Sequence, residues 1–220
     1  MKKVLLSIIA SFLLIGSAYA QPSLTIGLGM NQGVFAAEGV ERNFDESGAL
    51  KTITKEYGAF EDSYPSLYVE LGNEQVAIGI SIQDDISTPQ NVNKVGGLPG
   101  SNTATSKVSA TFEDVAMLYA KVNIPYNMYL KAGVVGGDIA INESQKSGNT
   151  YKDQDLEGYV LGLGYQHDAD NGVGIRFELL GHAYDDVEST NGVATSGNHN
   201  KVMVSNMIGA TAQISINKSF

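Results

Sequence analysis

From Ile208 to Asn217 apolar and polar residues alternate without a break. Ile208, Ala210, Ala212, Ile214 and Ile216 occupy one set of positions, and Gly209, Thr211, Gln213, Ser215 and Asn217 the other. Strict period-2 alternation predicts a strand with one apolar and one polar face. With its flanking residues the run is longer than the five or six residues usual in soluble strands, and the sequence ends on an aromatic residue, Phe220.

The same pattern recurs along the chain. Leu24, Ile26, Leu28 and Met30 predict a first strand. Pro65 to Leu71 and Val76 to Ile82 predict a hairpin turning at Asn73-Glu74. Ala116 to Ile124 and Met128 to Val134 predict a second, turning near Pro125. Tyr159 to Tyr165 and Val173 to Leu179 predict a third, turning within His167 to Gly172. With the closing strand the count is eight. Charged, Gly-rich or aperiodic stretches (36–62, 84–107, 142–152 and 186–200) predict four long loops between the short turns.

Residues 1–20 carry Lys2-Lys3, an apolar run from Val4 to Ile15 and the small-x-small site Ala18-Tyr19-Ala20. That is the pattern of a secretory signal peptide cleaved after Ala20. The sequence contains no Cys, so neither a disulfide framework nor a thiolate metal site is expected. A net charge of −10 disfavours a nucleic-acid partner, which would call for a basic stripe. No other stretch approaches the roughly 20 apolar residues of a membrane helix, whereas a barrel hides its membrane character in alternation.

The closing strand and Phe220 resemble the C-terminal strand of bacterial outer-membrane β-barrels, although Lys218 stands where that family usually has an aromatic or apolar residue. Short turns alternating with long loops resemble the small barrels of the OmpA/OmpX/OmpW type. The resemblance implies an all-β fold, an eight-stranded antiparallel up-and-down transmembrane β-barrel filling residues 21–220, in the outer membrane among its lipids and lipopolysaccharide. It also implies that Phe220, with Ile216 and Ile214, forms an assembly signal read by the barrel-assembly machinery, with periplasmic chaperones acting before it. A tilted strand crosses in about 9–11 residues. Counting about that far from each short turn reaches Asp62, Asp84, Asp114, Asp138, Glu157 and Asp185, which are expected to mark the outer rim. Tyr126, Tyr165 and Phe220 are expected to anchor the opposite side.

Alternation turns Glu70, Lys121, Lys131, Arg176, Glu178 and His182 into the lumen, where mixed charges are expected to pair. Turns centred as above set Gly79 opposite Tyr68, Ala77 opposite Glu70, Tyr119 opposite Lys131, Lys121 opposite Tyr129, Gly164 opposite Arg176 and Gly162 opposite Glu178. The glycines would make room for large side chains, because an eight-stranded interior is only just wide enough for them. Three functions are open: a non-enzymatic membrane anchor whose loops meet an extracellular ligand, a narrow channel for ions or small solutes, and a lipid A-modifying enzyme. His182, His199, Ser205 and Asp185 do not form a catalytic pattern, and no cofactor is expected. Asp153, Asp155 and Glu157 begin like a calcium loop, but Gly164 stands where its bidentate Glu would be. A soluble lipocalin-type barrel would require a greasy interior instead.

Overall fold

A computed structural model describes residues 22–44, 49–89, 91–95, 104–144, 151–190 and 200–220; the expected signal peptide and His199 lie outside them. The elements are β1 (Ser23–Phe44), β2 (Leu50–Gly72), β3 (Val76–Gln83), β4 (Ile86–Ser87), β5 (Asn91–Val95), β6 (Ala104–Ile124), β7 (Met128–Ser144), β8 (Gln154–Asp168), β9 (Val173–Tyr184), β10 (Val187–Thr190) and β11 (Asn200–Ser219). Each strand pairs antiparallel with its neighbour, and β1 pairs with β11 to close the sheet. β4 and β5 continue the line of β3 along β6, and β10 continues β9 along β11, so the eleven elements make eight staves.

Alternation settles which way each residue points. Leu28, Leu161 and Leu179 are 67%, 69% and 66% exposed, whereas Arg176, Tyr64 and Tyr119 are 1%, 1% and 2% exposed. An apolar outside around a largely polar inside is the reverse of a lipocalin and the arrangement that lipid requires. Every backbone group in a closed sheet can pair within it, and closure leaves no edge in the apolar band.

The strands run much further than the sequence suggests. β1 and β2 contain 22 and 23 residues, against about 9–11 needed to cross a membrane. Most of the stretch expected to be a loop from Ala36 to Asp62 is therefore strand, and the expected loops 84–107, 142–152 and 186–200 are likewise invaded by β4 to β7, β10 and β11. Thr52, Ile53, Thr54, Tyr57 and Phe60 are good strand formers. Phe60 stacks between Phe35 (5.3 Å) and Phe112 (6.0 Å), which gives this charged segment an apolar anchor.

All three expected hairpin registers are off by two residues. Glu70 faces Gly79 and Tyr68 faces Ser81; Lys121 faces Lys131 directly; Gly164 faces Glu178 and Gln166 faces Arg176. Each turn lies one residue later than its sequence signal. In the first, Asn73 Oδ1 accepts hydrogen bonds from the amides of Gln75 and Val76, pushing the bend past Asn73. In the second, Tyr126 and Asn127 take φ of 70° and 59°, which extends the bend beyond Pro125. In the third, Gly172 has φ 77°, a conformation that suits glycine.

Candidate functional site: a lumen closed in layers

The charged lumen residues lie close to the short turns. Two rows are built alike. Across β2, β3 and β6 stand Glu70, Gly79 and Tyr119; across β7, β8 and β9 stand Tyr129, Gly164 and Glu178. In each row the tyrosine reaches over the glycine to donate to the glutamate, Tyr119 Oη to Glu70 Oε1 at 2.8 Å and Tyr129 Oη to Glu178 Oε1 at 2.5 Å. The absent side chain is what permits this. A Cβ on Gly79 would lie 2.4 Å from the Tyr119 ring, and one on Gly164 2.2 Å from the Tyr129 ring.

Cations join the rows. Lys121 donates to Glu70 at 3.0 Å and Lys131 to Glu178 at 2.8 Å. Each lysine also lies over the other row's tyrosine, Lys131 over Tyr119 at 4.0 Å and Lys121 over Tyr129 at 5.2 Å, distances at which a cation is attracted by a ring face. Arg176, on β9, crosses the lumen to Glu70 on β2 with a two-pronged contact, Nη1 to Oε1 at 2.7 Å and Nη2 to Oε2 at 2.8 Å. Such paired charge-assisted bonds combine strength with fixed geometry. Glu70 is thus the hub, accepting from Arg176, Lys121 and Tyr119.

Further from the turns the lumen becomes uncharged. Asn31 and Gln213 both donate to Ser66 Oγ, and Tyr64 and His182 both reach Thr211, His182 Nε2 at 3.1 Å. The sequence groups His182 with the charges. In the structure it forms no ion pair among the described residues and stacks on Tyr184 at 6.0 Å, because the carboxylates are committed nearer the turns. Beyond this layer comes an apolar cluster including Phe35, Ile86, Phe112, Val115, Leu156 and Met207. Sequence reasoning missed this outer core, although its residues were visible as inward positions of strands that continue past the membrane.

The expected rim acids do not form one set. Asp114, Asp138, Glu157 and Asp185 are exposed. Asp114 lies in a β-bulge with φ 52°. Asp84 is exposed and caps the amide of Asp85. Asp62 shares the inward face of Tyr64 and accepts from the amide of Ser87 at 3.0 Å, bridging β2 to β4. Among the described residues no three His, Asp or Glu side chains converge as metal ligands. At the turn end Ile214 and Ile216 point outward, 50% and 63% exposed, and Phe220 completes the β1 ladder with its amide donating to Leu24 O at 2.9 Å. Tyr126 and Tyr165 are exposed near the same end. His182 bonds Thr211 rather than a serine, and Ser205 lies buried on β11.

A closed, all-antiparallel barrel of eight staves with an apolar outside is the fold of the small outer-membrane barrels. Among solved structures, the outer membrane protein OprG from Pseudomonas aeruginosa superposes with a TM-score of 0.52 at 14% identity, covering 88% of this chain and 96% of that one. The outer membrane protein AlkL reaches 0.46 at 13% identity, covering 93% and 92%, and Neisserial surface protein A 0.37 at 9%, covering 86% and 97%. No protein-family model and no curated protein matches the sequence.

Proposed function

We propose that this protein is a non-enzymatic outer-membrane barrel whose lumen is a structural plug and whose strand-built outer rim works by contact at the cell surface. The contact of Arg176 with Glu70 across the lumen carries this reading. It ties β9 to β2 through the centre of a barrel whose outer end is packed with aromatic and aliphatic side chains. The apolar exterior supports a place among outer-membrane lipids and lipopolysaccharide, and the outward Ile214, Ile216 and Phe220 support recognition of the last strand by the assembly machinery, with periplasmic chaperones acting earlier. The extended β1–β2 wall supports an extracellular ligand met by rigid strand rather than by loops alone.

One observation favours a narrow channel instead. Arg176 Nε and both polar atoms of Asn217 are buried without a hydrogen-bond partner among the described residues, and buried polar groups of this kind are usually met by water. Conductance of the refolded protein in a planar bilayer separates the two, with folding checked by the gel shift between boiled and unboiled samples. A silent, folded barrel is the expected result. Steady openings altered by Lys131→Gln or Arg176→Gln would make it a channel.

A further inference from the structure

The outward face of β6 and β7 is cut away. Ala116, Ala120, Ala132 and Gly136 are small, while Ile80 on β3 and Tyr159 on β8 stand up on either side, 50% and 61% exposed. Between these walls Leu118 and Val134 are only half-buried floor residues rather than projecting ones. The result is an apolar groove of about 620 Å³ on the lipid side of the wall, within the roughly 300–1,000 Å³ of small-molecule sites. Its upper end reaches the rim, where Asp114, Glu157 and Asp185 line it. No Lys or Arg lines it, and none of the three acids makes an ion pair among the described residues.

We propose that this groove binds an amphiphile with a hydrocarbon chain and a cationic amine head group. The chain lies along β6–β7 between Ile80 and Tyr159, and the ammonium sits at the end lined by Asp114, Glu157 and Asp185. The orientation is that of a lipid in the outer leaflet, head at the rim and chain toward the midplane. The charge complementarity is specific in sign. Carboxylates at the edge of hydrocarbon are costly unless compensated, and an anionic head places negative charge against them. A bare divalent cation does not meet the need, because such ions require several converging oxygens, which these acids do not provide. An ammonium on a flexible chain can pair with one carboxylate directly while the others attract it at longer range, without a fixed coordination shell.

The inference rests on the membrane-barrel reading. The test uses the refolded protein in phosphatidylcholine bilayers with spin-labelled stearylamine and, separately, spin-labelled stearic acid, with EDTA present. The expected result is an immobilised fraction several-fold larger for the amine than for the acid. Asp114→Asn, Glu157→Gln and Asp185→Asn together should bring the amine down to the acid's level. Gly136→Leu should remove the difference by filling the groove. Its Cβ would meet nothing closer than Leu156 O at 3.6 Å, so the backbone need not move. Equal immobilisation of both probes, or an amine signal untouched by the variants, would overturn the proposal and leave an ordinary lipid shell. Failure to enter bilayers or to show the boiling-dependent gel shift would instead count against the membrane barrel itself.

Discussion

Lys121 and Lys131 face each other directly across β6 and β7, and each is matched by a different carboxylate, Glu70 at 3.0 Å and Glu178 at 2.8 Å. Two like charges in adjacent register are unfavourable when left alone. Here the repeated Tyr-x-Lys of 119–121 and 129–131 supplies a ring for each ammonium as well as an acid. The two Tyr-Gly-Glu rows flank this lysine pair in opposite strand order, and Arg176 then fastens one row to the other.

Because Glu70 serves Arg176, Lys121 and Tyr119 while Glu178 serves Lys131 and Tyr129, the two glutamates should not be equivalent. Glu70→Gln leaves two buried cations short of a carboxylate and should cost about 3–5 kcal/mol, the range for breaking a buried pair. Glu178→Gln should cost less, since Lys131 keeps the Tyr119 ring at 4.0 Å. Urea-unfolding midpoints of the lipid-reconstituted variants decide this; equal losses would show that Glu70 is not the hub.

Gly164 is required by the Tyr129 ring rather than by its backbone. Gly164→Ala places a methyl 2.2 Å from that ring, so Tyr129 must swing away from Glu178, and overpacking of this kind costs about 1–3 kcal/mol. Tyr129→Ala should remove the clash, so the double variant should be less destabilised than the sum of the two single changes. Additive losses in the same unfolding assay would mean that strain elsewhere is responsible.

The registers show what alternation can and cannot reveal. A slip of one residue would turn every side chain to the other face, so the inward placement of Glu70, Lys121, Lys131, Arg176 and Glu178 is legible from period 2. A turn displaced by one residue changes partners by two and keeps the faces, so alternation is blind to it. Asn73 illustrates the reason, since its side chain caps the turn instead of occupying it. The outer staves were hidden differently. Between Leu50 and Asp62 the outward face mixes Lys55 and Glu61 with the exposed Ile53 and Tyr57, so no clean apolar alternation runs through it, and only Phe60 marks the inner face. His182 was legible as inward but not as uncharged in its contacts, because its depth relative to the carboxylates depends on the stagger of distant strands.

The outer hairpin contains a pair that titrates in a defined direction. Lys55 Nζ donates to Glu38 Oε1 at 2.7 Å, and this hydrogen bond holds the Glu38 carboxyl below its usual 4.5 while Glu38 raises Lys55 above its usual 10.5. A lowered carboxyl contributes stability that is fully present above pH 4.5 and is lost as pH falls through the lowered value. A raised ammonium contributes below pH 10.5 and loses its contribution as pH rises through the raised value. Titrating the Glu38 side-chain carbon by NMR should give a midpoint below 4.5, and Lys55→Met should move it upward. A midpoint that ignores Lys55 would show that the contact does not persist in solution.

Phe60 joins two parts of the wall that the ladder leaves apart. Above Pro65, β2 has no backbone partner on its β3 side among the described residues; the last such bond is Asp84 N to Pro65 O at 3.1 Å. Across that seam Phe60 stacks on Phe112 at 6.0 Å, and Asp62 holds the amide of Ser87 at 3.0 Å. Phe60→Ala should cost about 3 kcal/mol or less, since the ring is only partly buried. Its larger effect should be on permeation. Removing the Phe60 ring alone should leave the barrel silent, because Arg176 and Glu70 still block the turn end, and Arg176→Ala alone should leave it silent behind the phenylalanines. Only the double variant Phe60→Ala/Arg176→Ala should conduct in planar bilayers, provided the boiling-dependent gel shift shows it folded. Openings from either single variant would mean that one layer carries the whole seal, and silence from the folded double variant would place the barrier elsewhere in the lumen.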